Sequence, residues 1–348
     1  MFRLSLALLV SILLLSTGYA ANYSMIDLSN MRVATDINDN NQVVVNDAFT
    51  GGYVYDNGNF LDIGSLGGTN LDARGMNSSA QVVGNAQNVS GRMLAFLSEN
   101  GNMVSLGALS SNEISQARQI NDSGQIVGNS NLSSTIYHAF LYQNNTMIDL
   151  GTLGGDTSDA YDINNDGKII GVSRNAAGAQ RAFLYENGTM TDLGTLGGIN
   201  SSADGINNVG QIVGRSATAT GDNHAFLYEN GTMTDLGTLS GSSYSHARDI
   251  NDSGQIVGSS ANHAFLYENG TMFDLNSYLT PDYNGWVLTD AIAINNYGDI
   301  VGYGYYGSSQ RAFYLYNDDA IRGVTVPEPA SFILLSISIL SIIKKKFV

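Results

Sequence analysis

The sequence predicts an all-β protein, a seven-bladed β-propeller of four-stranded blades. A phrase returns seven times at near-constant spacing, glycine is abundant (40) while proline is scarce (3), and the two ends of the repeat region are incomplete in complementary ways. The phrase DINDSGQIVG at Asp249–Gly258 returns as QINDSGQIVG at Gln119–Gly128, DINNDGKIIG at Asp162–Gly171 and GINNVGQIVG at Gly205–Gly214, with looser copies from Asp36, Gly75 and Ala293. Its key Ile or Met falls at 37, 76, 120, 163, 206, 250 and 294, a spacing of 39 to 44 residues. That is the length of one propeller blade.

A second phrase, AFLYENGTMTDLGTLGG, keeps step with the first. Its aromatic residue is Tyr53, Phe96, Phe140, Phe183, Phe226, Phe265 and Phe313, and its closing strand carries Asp27, Asp62, Ser105, Asp149, Asp192, Asp235 and Asp274. Each unit therefore reads as four strands. An Ala-x-x-Ile stretch comes first and QIVG second, joined by an Asn/Asp/Gly turn whose residues tolerate positive φ. AFLYE is third and TMTDLG fourth, joined by Asn-Gly, the strongest short hairpin signal. No proline interrupts a strand, as a central ladder requires. Met25–Leu28 reads as a fourth strand with no third before it, and Arg311–Tyr316 as a third strand with no fourth after it. The two halves predict a ring over residues 24–316 in which the N-terminal strand completes the last blade. The alternative, an open β-solenoid, needs capping units instead.

Residues 1–20 read as a secretory signal peptide. Arg3 supplies the positive start, Leu4–Leu15 the apolar run, and cleavage is expected after Ala20 or Ala21. The chain has no cysteine, which excludes a disulfide framework, thiolate metal sites and a cysteine nucleophile. A net charge of −16 with only 15 Lys+Arg argues against nucleic acid, which needs a basic stripe.

The histidine-Ala-Phe-Leu phrase, in register with I-N-x-x-G-x-I-V-G, resembles the bacterial HAF extracellular repeat family over residues 24–316. The resemblance implies an extracellular location and carries no assigned reaction. The first copy departs from the pattern, with Gly52-Tyr53 for Ala-Phe and with Asn41 and Val45 for the two glycines. After a linker at 317–325, the segment 326–348 (VPEP, an apolar run and three lysines) resembles the PEP-CTERM sorting signal. That resemblance implies Pro327, Glu328 and Pro329 as the motif read by an exosortase, a short membrane segment at 330–343, and Lys344–Lys346 as the cytoplasmic stop, in line with the positive-inside rule. At about 1.5 Å per residue the apolar run reaches only about 20 Å, short for a permanent span and suited to a precursor inserted transiently before release or transfer. A plain C-terminal anchor is the alternative.

Chemistry is sparse in the sequence. No nucleophile elbow, phosphate loop or zinc spacing appears, no blade concentrates acidic residues, and no catalytic residue is assigned. His138, His224 and His263 each precede Ala-Phe, so they occupy one repeated, structural position, and His246 stands apart with no evident partner. Asp162, Asn164 and Asp166 match the opening of a calcium loop, but the expected ligands at its ninth and twelfth positions are Ile170 and Ser173. An Asx-rich hairpin turn is the competing reading. Asn-Gly-Thr at Asn187, Asn230 and Asn269 matches a glycosylation acceptor at a place where the hairpin already needs Asn-Gly.

The two hairpin turns of each unit are expected on one face and look uniform. The opposite face carries the variable loops between second and third strands, such as NAQNVSGRML and RSATATGDN, and is the expected binding face. Two residues before each key Ile or Met stand Thr35, Arg74, Arg118, Tyr161, Asp204, Arg248 and Ile292. Scaffold positions stay uniform and this one does not, so Arg74, Arg118, Tyr161, Asp204 and Arg248 are candidate binding residues at the ring's mouth. Inter-blade packing or salt bridging is the alternative role. The sequence thus predicts an exported, non-enzymatic bacterial surface or matrix protein, a binding or structural scaffold whose partners are an exosortase and, by resemblance of the tail, exopolysaccharide or other surface proteins. The alternatives are a propeller lyase or glycosidase acting on extracellular polysaccharide and a protein-binding adhesin, which fold alone cannot separate.

Overall fold

The computed structural model describes residues 23–28, 31–47, 51–111 and 113–318. The expected signal peptide with Ala20 and Ala21, and the expected tail with Pro327, Glu328 and Pro329, lie outside the described residues. Among the described residues all regular structure is β-strand apart from three short 3-10 turns. No helix there is long and apolar enough to cross a membrane.

Each repeat folds as an antiparallel meander. In the fourth unit the strands are Gly154–Ile163, Ile169–Asn175, Gln180–Glu186 and Thr189–Asp192, paired in that order. The first strand is longer than Ala-x-x-Ile in every unit and reaches ten residues in three (Gly67–Met76, Gly154–Ile163 and Gly197–Ile206), where the Gly-Gly of the preceding connection also joins the ladder. The outer hairpins behave as the Asn-Gly signal predicts: Asn187 and Gly188 have φ of 51° and 78°, the left-handed pair of a type I′ turn. In the inner turns only the fourth residue is left-handed. Gly124 sits at φ 75°, while Asn41 and Ala80 take its place at 63° and 58°, a conformation that is strained for alanine.

Five sheets contain four strands, and one of eight strands joins the third and fourth units. That junction is a single parallel pairing, Tyr137 with Thr157. The apolar faces of neighbouring units pack on each other rather than around one common core. Val127, Ala139 and Leu150 of the third unit meet Ala160, Ile163, Ile169 and Phe183 of the fourth. The same arrangement joins the last unit to the first, where Ala293, Val301, Ala312 and Tyr314 pack with Leu28, Met31, Ala34 and Val43.

The N-terminal strand Tyr23–Asp27 pairs antiparallel with Ser309–Asn317, Met25 opposite Leu315. Its outer side is covered by the connection at 275–285, the longest between units. Tyr283 Oη accepts from Met25 N at 3.1 Å, and Tyr278 packs edge-on against Tyr23 at 5.8 Å. An exposed edge strand is thereby capped.

The asparagine of each I-N phrase ties the units together. Asn38 donates through Nδ2 to the carbonyl of Asn77, and the pattern continues through Asn121, Asn164, Asn207 and Asn251 to Asn295, at 3.0–3.3 Å. Asn295 donates in turn to the carbonyl of Asn38, at 3.2 Å. The other end of each side chain holds its own turn: Asn164 Oδ1 accepts from the amides of Asp166 and Lys168. These asparagines are buried, and both ends of the amide are used, so no other residue type serves as well.

Candidate functional site: a cavity lined by β-bulges

Each first strand carries a bulge at one equivalent place. The ladder to the second strand skips a residue between Ala34 and Asp36, Ala73 and Gly75, Ala117 and Gln119, Ala160 and Asp162, Ala203 and Gly205, Ala247 and Asp249, and Ala291 and Ala293. The skipped residues are Thr35, Arg74, Arg118, Tyr161, Asp204, Arg248 and Ile292. A bulge frees one residue from the pairing pattern and re-aims its side chain. The glycine of QIVG makes room for it: a Cβ on Gly128, Gly171 or Gly258 would collide with the carbonyl oxygen of Gln116, Asp159 or His246.

All seven bulge residues line one cavity of about 540 Å³. A smaller cavity of about 190 Å³ lies against the asparagine-rich turns. Asp36, Gln119, Asp162 and Asp249 line both, so they form the partition between them. Where these side chains are large, the residues at the same position in adjacent units are small: Gly75, Gly205 and Ala293. Asp162 Oδ1 accepts from its neighbour Ile163 N and Oδ2 reaches over Gly205 to Ile206 N. Asp36 does the same with Ile37 and Met76, and Asp249 with Ile250 and Ile294. Burial, followed by repulsion from Asp249, pushes Asp36 up to about 8 and Asp162 to about 7. Burial alone leads for Asp249, at about 6.

The wall is built of ion pairs that follow one rule. A bulge residue reaches the next unit's first strand: Arg118 to Asp159 at 2.7 Å, Arg248 to Asp290 at 2.7 Å, and Asp204 to His246 at 3.1 Å. Arg74 instead pairs with Asp72 of its own strand. Arg118 also lies over the Tyr161 ring, 5.3 Å from its centre. Burial disfavours the Asp204 carboxylate, but His246 and then Arg248 and Arg215 outweigh it and hold the group below the usual range. Burial, then Asp159 and Asp204, raises the Tyr161 phenol.

The five candidate binding residues are therefore brought together, and two of their arginines, Arg118 and Arg248, double as inter-unit salt bridges. The calcium reading of Asp162, Asn164 and Asp166 finds no common centre. Asp162 faces the partition, Asn164 is consumed by its turn and the next unit, and Asp166 is exposed on the turn. Among the described residues no group of three or more His, Asp or Glu side chains gathers as a metal site.

The repeated histidines serve a clasp. His138, His224 and His263 contact Asp149, Asp235 and Asp274 on the fourth strand at 2.7–2.9 Å. Arg181 and Arg311 do the same with Asp192 and Asp27. Arg311–Asp27 is the clasp of the last unit, made with the N-terminal strand. His246 is a buried cavity residue. The wall residues Asp72, Asp290, Arg215 and Tyr303 escaped sequence reasoning, although Asp72 and Asp290 stand two residues before bulge positions, the spacing that marks them.

No family model matches the chain, and no curated protein matches it. Solved structures do. YCF48 bound to D1 peptide is similar with a TM-score of 0.53 at 10% identity, over 87% of this chain and 98% of that one. The gluconolactonase XC5397 from Xanthomonas campestris gives 0.40 at 9%, over 85% and 95%. The fucose-recognising six-bladed β-propeller lectin of Aleuria aurantia gives 0.39 at 10%, over 71% and 91%. Identities this low speak to fold alone, and the fold is that of a β-propeller.

Proposed function

We propose that this chain is an exported, non-enzymatic propeller of seven blades, closed by its N-terminal strand, that binds a ligand in the axial cavity. The observation that carries the binding reading is the set of bulges: seven equivalent bulges aim a position that varies from unit to unit into a single cavity. Support for closure comes from the strand pairing of Tyr23–Asp27 with Ser309–Asn317, the Arg311–Asp27 clasp and the hydrogen bond from Asn295 back to Asn38. Support for counting the eight-stranded sheet as two blades is its single bridging pair.

Delivery by the signal peptide and sorting by an exosortase at Pro327–Pro329 belong to the same proposal. They rest on the sequence and on the resemblance of the tail. Intact masses from strains with and without the exosortase test them. An end near Pro327–Ala330 that depends on the exosortase supports sorting, and an end at Val348 in both strains removes it.

Ile292→Trp, which fills the cavity from a bulge position, tests the site. In titration calorimetry with a panel of neutral and acidic oligosaccharides and short peptides, the full chain is expected to bind at least one probe and the variant to lose it. Undiminished binding by the folded variant would place the site elsewhere. One observation favours the enzymatic alternative: the partition carboxyls of Asp36 and Asp162 have the raised values a general acid needs. Both oxygens of each are already bonded to backbone amides, which favours a structural task. Shortened products on incubation with polysaccharide, abolished by Asp162→Asn, would favour the enzyme.

A further inference from the structure

We propose that the cavity takes a saccharide end bearing one carboxylate, a uronic-acid unit, with Arg215 as its anchor. This rests on the cavity being the binding site. The arginines of the bulge positions are already matched: Arg74, Arg118 and Arg248 are held by Asp72, Asp159 and Asp290, while Asp204 contacts His246, a pair that carries opposite charges only when the imidazole is protonated. Arg215 differs. It projects from the strand Ile212–Thr218, is exposed and lines the cavity. It has no hydrogen bond or ion pair to any described residue, and its charge is among those that favour the Asp204 carboxylate.

The equivalent position holds Asn46, Asn85, Asn129, Val172, Ser259 and Tyr303 in the other units, so Arg215 is the one cation there. Asn46 occupies the position in the first unit and clamps the backbone of Ala73, donating to its carbonyl and accepting from its amide at 2.9 Å. Arg215 makes no such clamp, so its planar fork of donors is available to a carboxylate, which it matches with two parallel hydrogen bonds.

The rest of the wall limits what else the ligand can be. With one uncompensated cation and carboxyls on the partition, a polyphosphate or nucleic acid has too little positive charge to meet. The ion pairs place donors and acceptors side by side, the mosaic that hydroxyl groups, each donor and acceptor at once, satisfy. The first and last units supply an apolar sector, Val33, Ile292 and Ala293 with Tyr303 beside them, which suits the C–H face of a pyranose. A volume of about 540 Å³ admits a short saccharide end and no folded partner. A fatty ligand is excluded by the density of charge around the remainder.

The experiment titrates the full chain with galacturonic acid and, in parallel, with neutral galactose, at neutral pH and low salt. Wild type is expected to prefer the uronate by at least about tenfold, the worth of a charge-assisted pair. Arg215→Ala should remove that preference, and Arg215→Lys should restore part of it. Because Arg215 is exposed, both variants should keep the wild-type melting temperature. Equal affinity for the two sugars, or a preference that survives Arg215→Ala, overturns the acidic-sugar assignment. If Ile292→Trp still abolishes binding in that case, the cavity reading stands while the ligand class falls. Absence of uronate binding by wild type at millimolar concentration also overturns the proposal.

Discussion

Three residues apart on each first strand lie a position that never changes and one that never settles. The I-N asparagine is the same in all seven units. The bulge residue before it is Thr, Arg, Arg, Tyr, Asp, Arg and Ile in turn. The contrast has a physical cause. Asparagine is buried and bonded at both ends, to its own turn and to the next unit. The bulge residue has left the ladder and faces open space, so only its immediate partner constrains it. Uniformity in this repeat marks cement, and variation marks the room the cement encloses.

The sharpest way to break the comparison is to remove one asparagine. Asn164→Ala deletes one donor and one doubly used acceptor in a buried interface. It should cost about 3 kcal/mol, at about 1 kcal/mol for each of three hydrogen bonds, read from urea unfolding. Arg215→Ala, at a wall position, should stay within about 0.5 kcal/mol in the same assay. Comparable losses for the two would erase the distinction. Gly171→Ala comes next. Its Cβ meets the carbonyl of Asp159, so the bulge must shift, at about 2 kcal/mol by analogy with overpacked cores.

The partition adds a pH dependence. Asp36, Asp162 and Asp249 have folded values of about 8, 7 and 6 against an ordinary value of 3.8. Below about 4 the folded and unfolded chains are protonated alike at these groups. As pH rises from there the unfolded chain loses its protons first, and the folded protein becomes progressively less stable until about 8. Melting temperature should therefore fall from pH 5 to pH 9, and Asp36→Asn should flatten the slope. A rising profile would mean the carboxyls are not shielded as described. The smallest effect belongs to the clasp: His263→Ala opens a half-exposed pair and should cost about 0.5 kcal/mol, seen as a slight drop in the urea midpoint.

Much of the scaffold was legible in the sequence because its causes are local. Asn-Gly fixes the outer hairpins, Asn-x-x-Gly the inner ones, and the incomplete ends imply their partner. The reason for the second glycine of the phrase was not legible, since its task is to admit a carbonyl from another strand. The bulge residues could be singled out by their variety, but the pairing of Arg118 with Asp159 spans two units and depends on a bulge that leaves no local signature. Nothing in the repeat pattern assigns a task to the connection at 275–285. Its tyrosines acquire a purpose only once the N-terminal strand lies beneath them.

An axial cavity needs a closed ring, so closure is the claim on which the rest depends. Ser24 and Tyr316 stand opposite each other in the proposed closing pair, and the chain has no cysteine of its own. The double variant Ser24→Cys/Tyr316→Cys should form an intramolecular disulfide under mild oxidation, detected by peptide mass mapping of the monomer, with a raised melting temperature. Free thiols in the monomer, or crosslinks only between chains, would contradict the closed ring and with it the axial site.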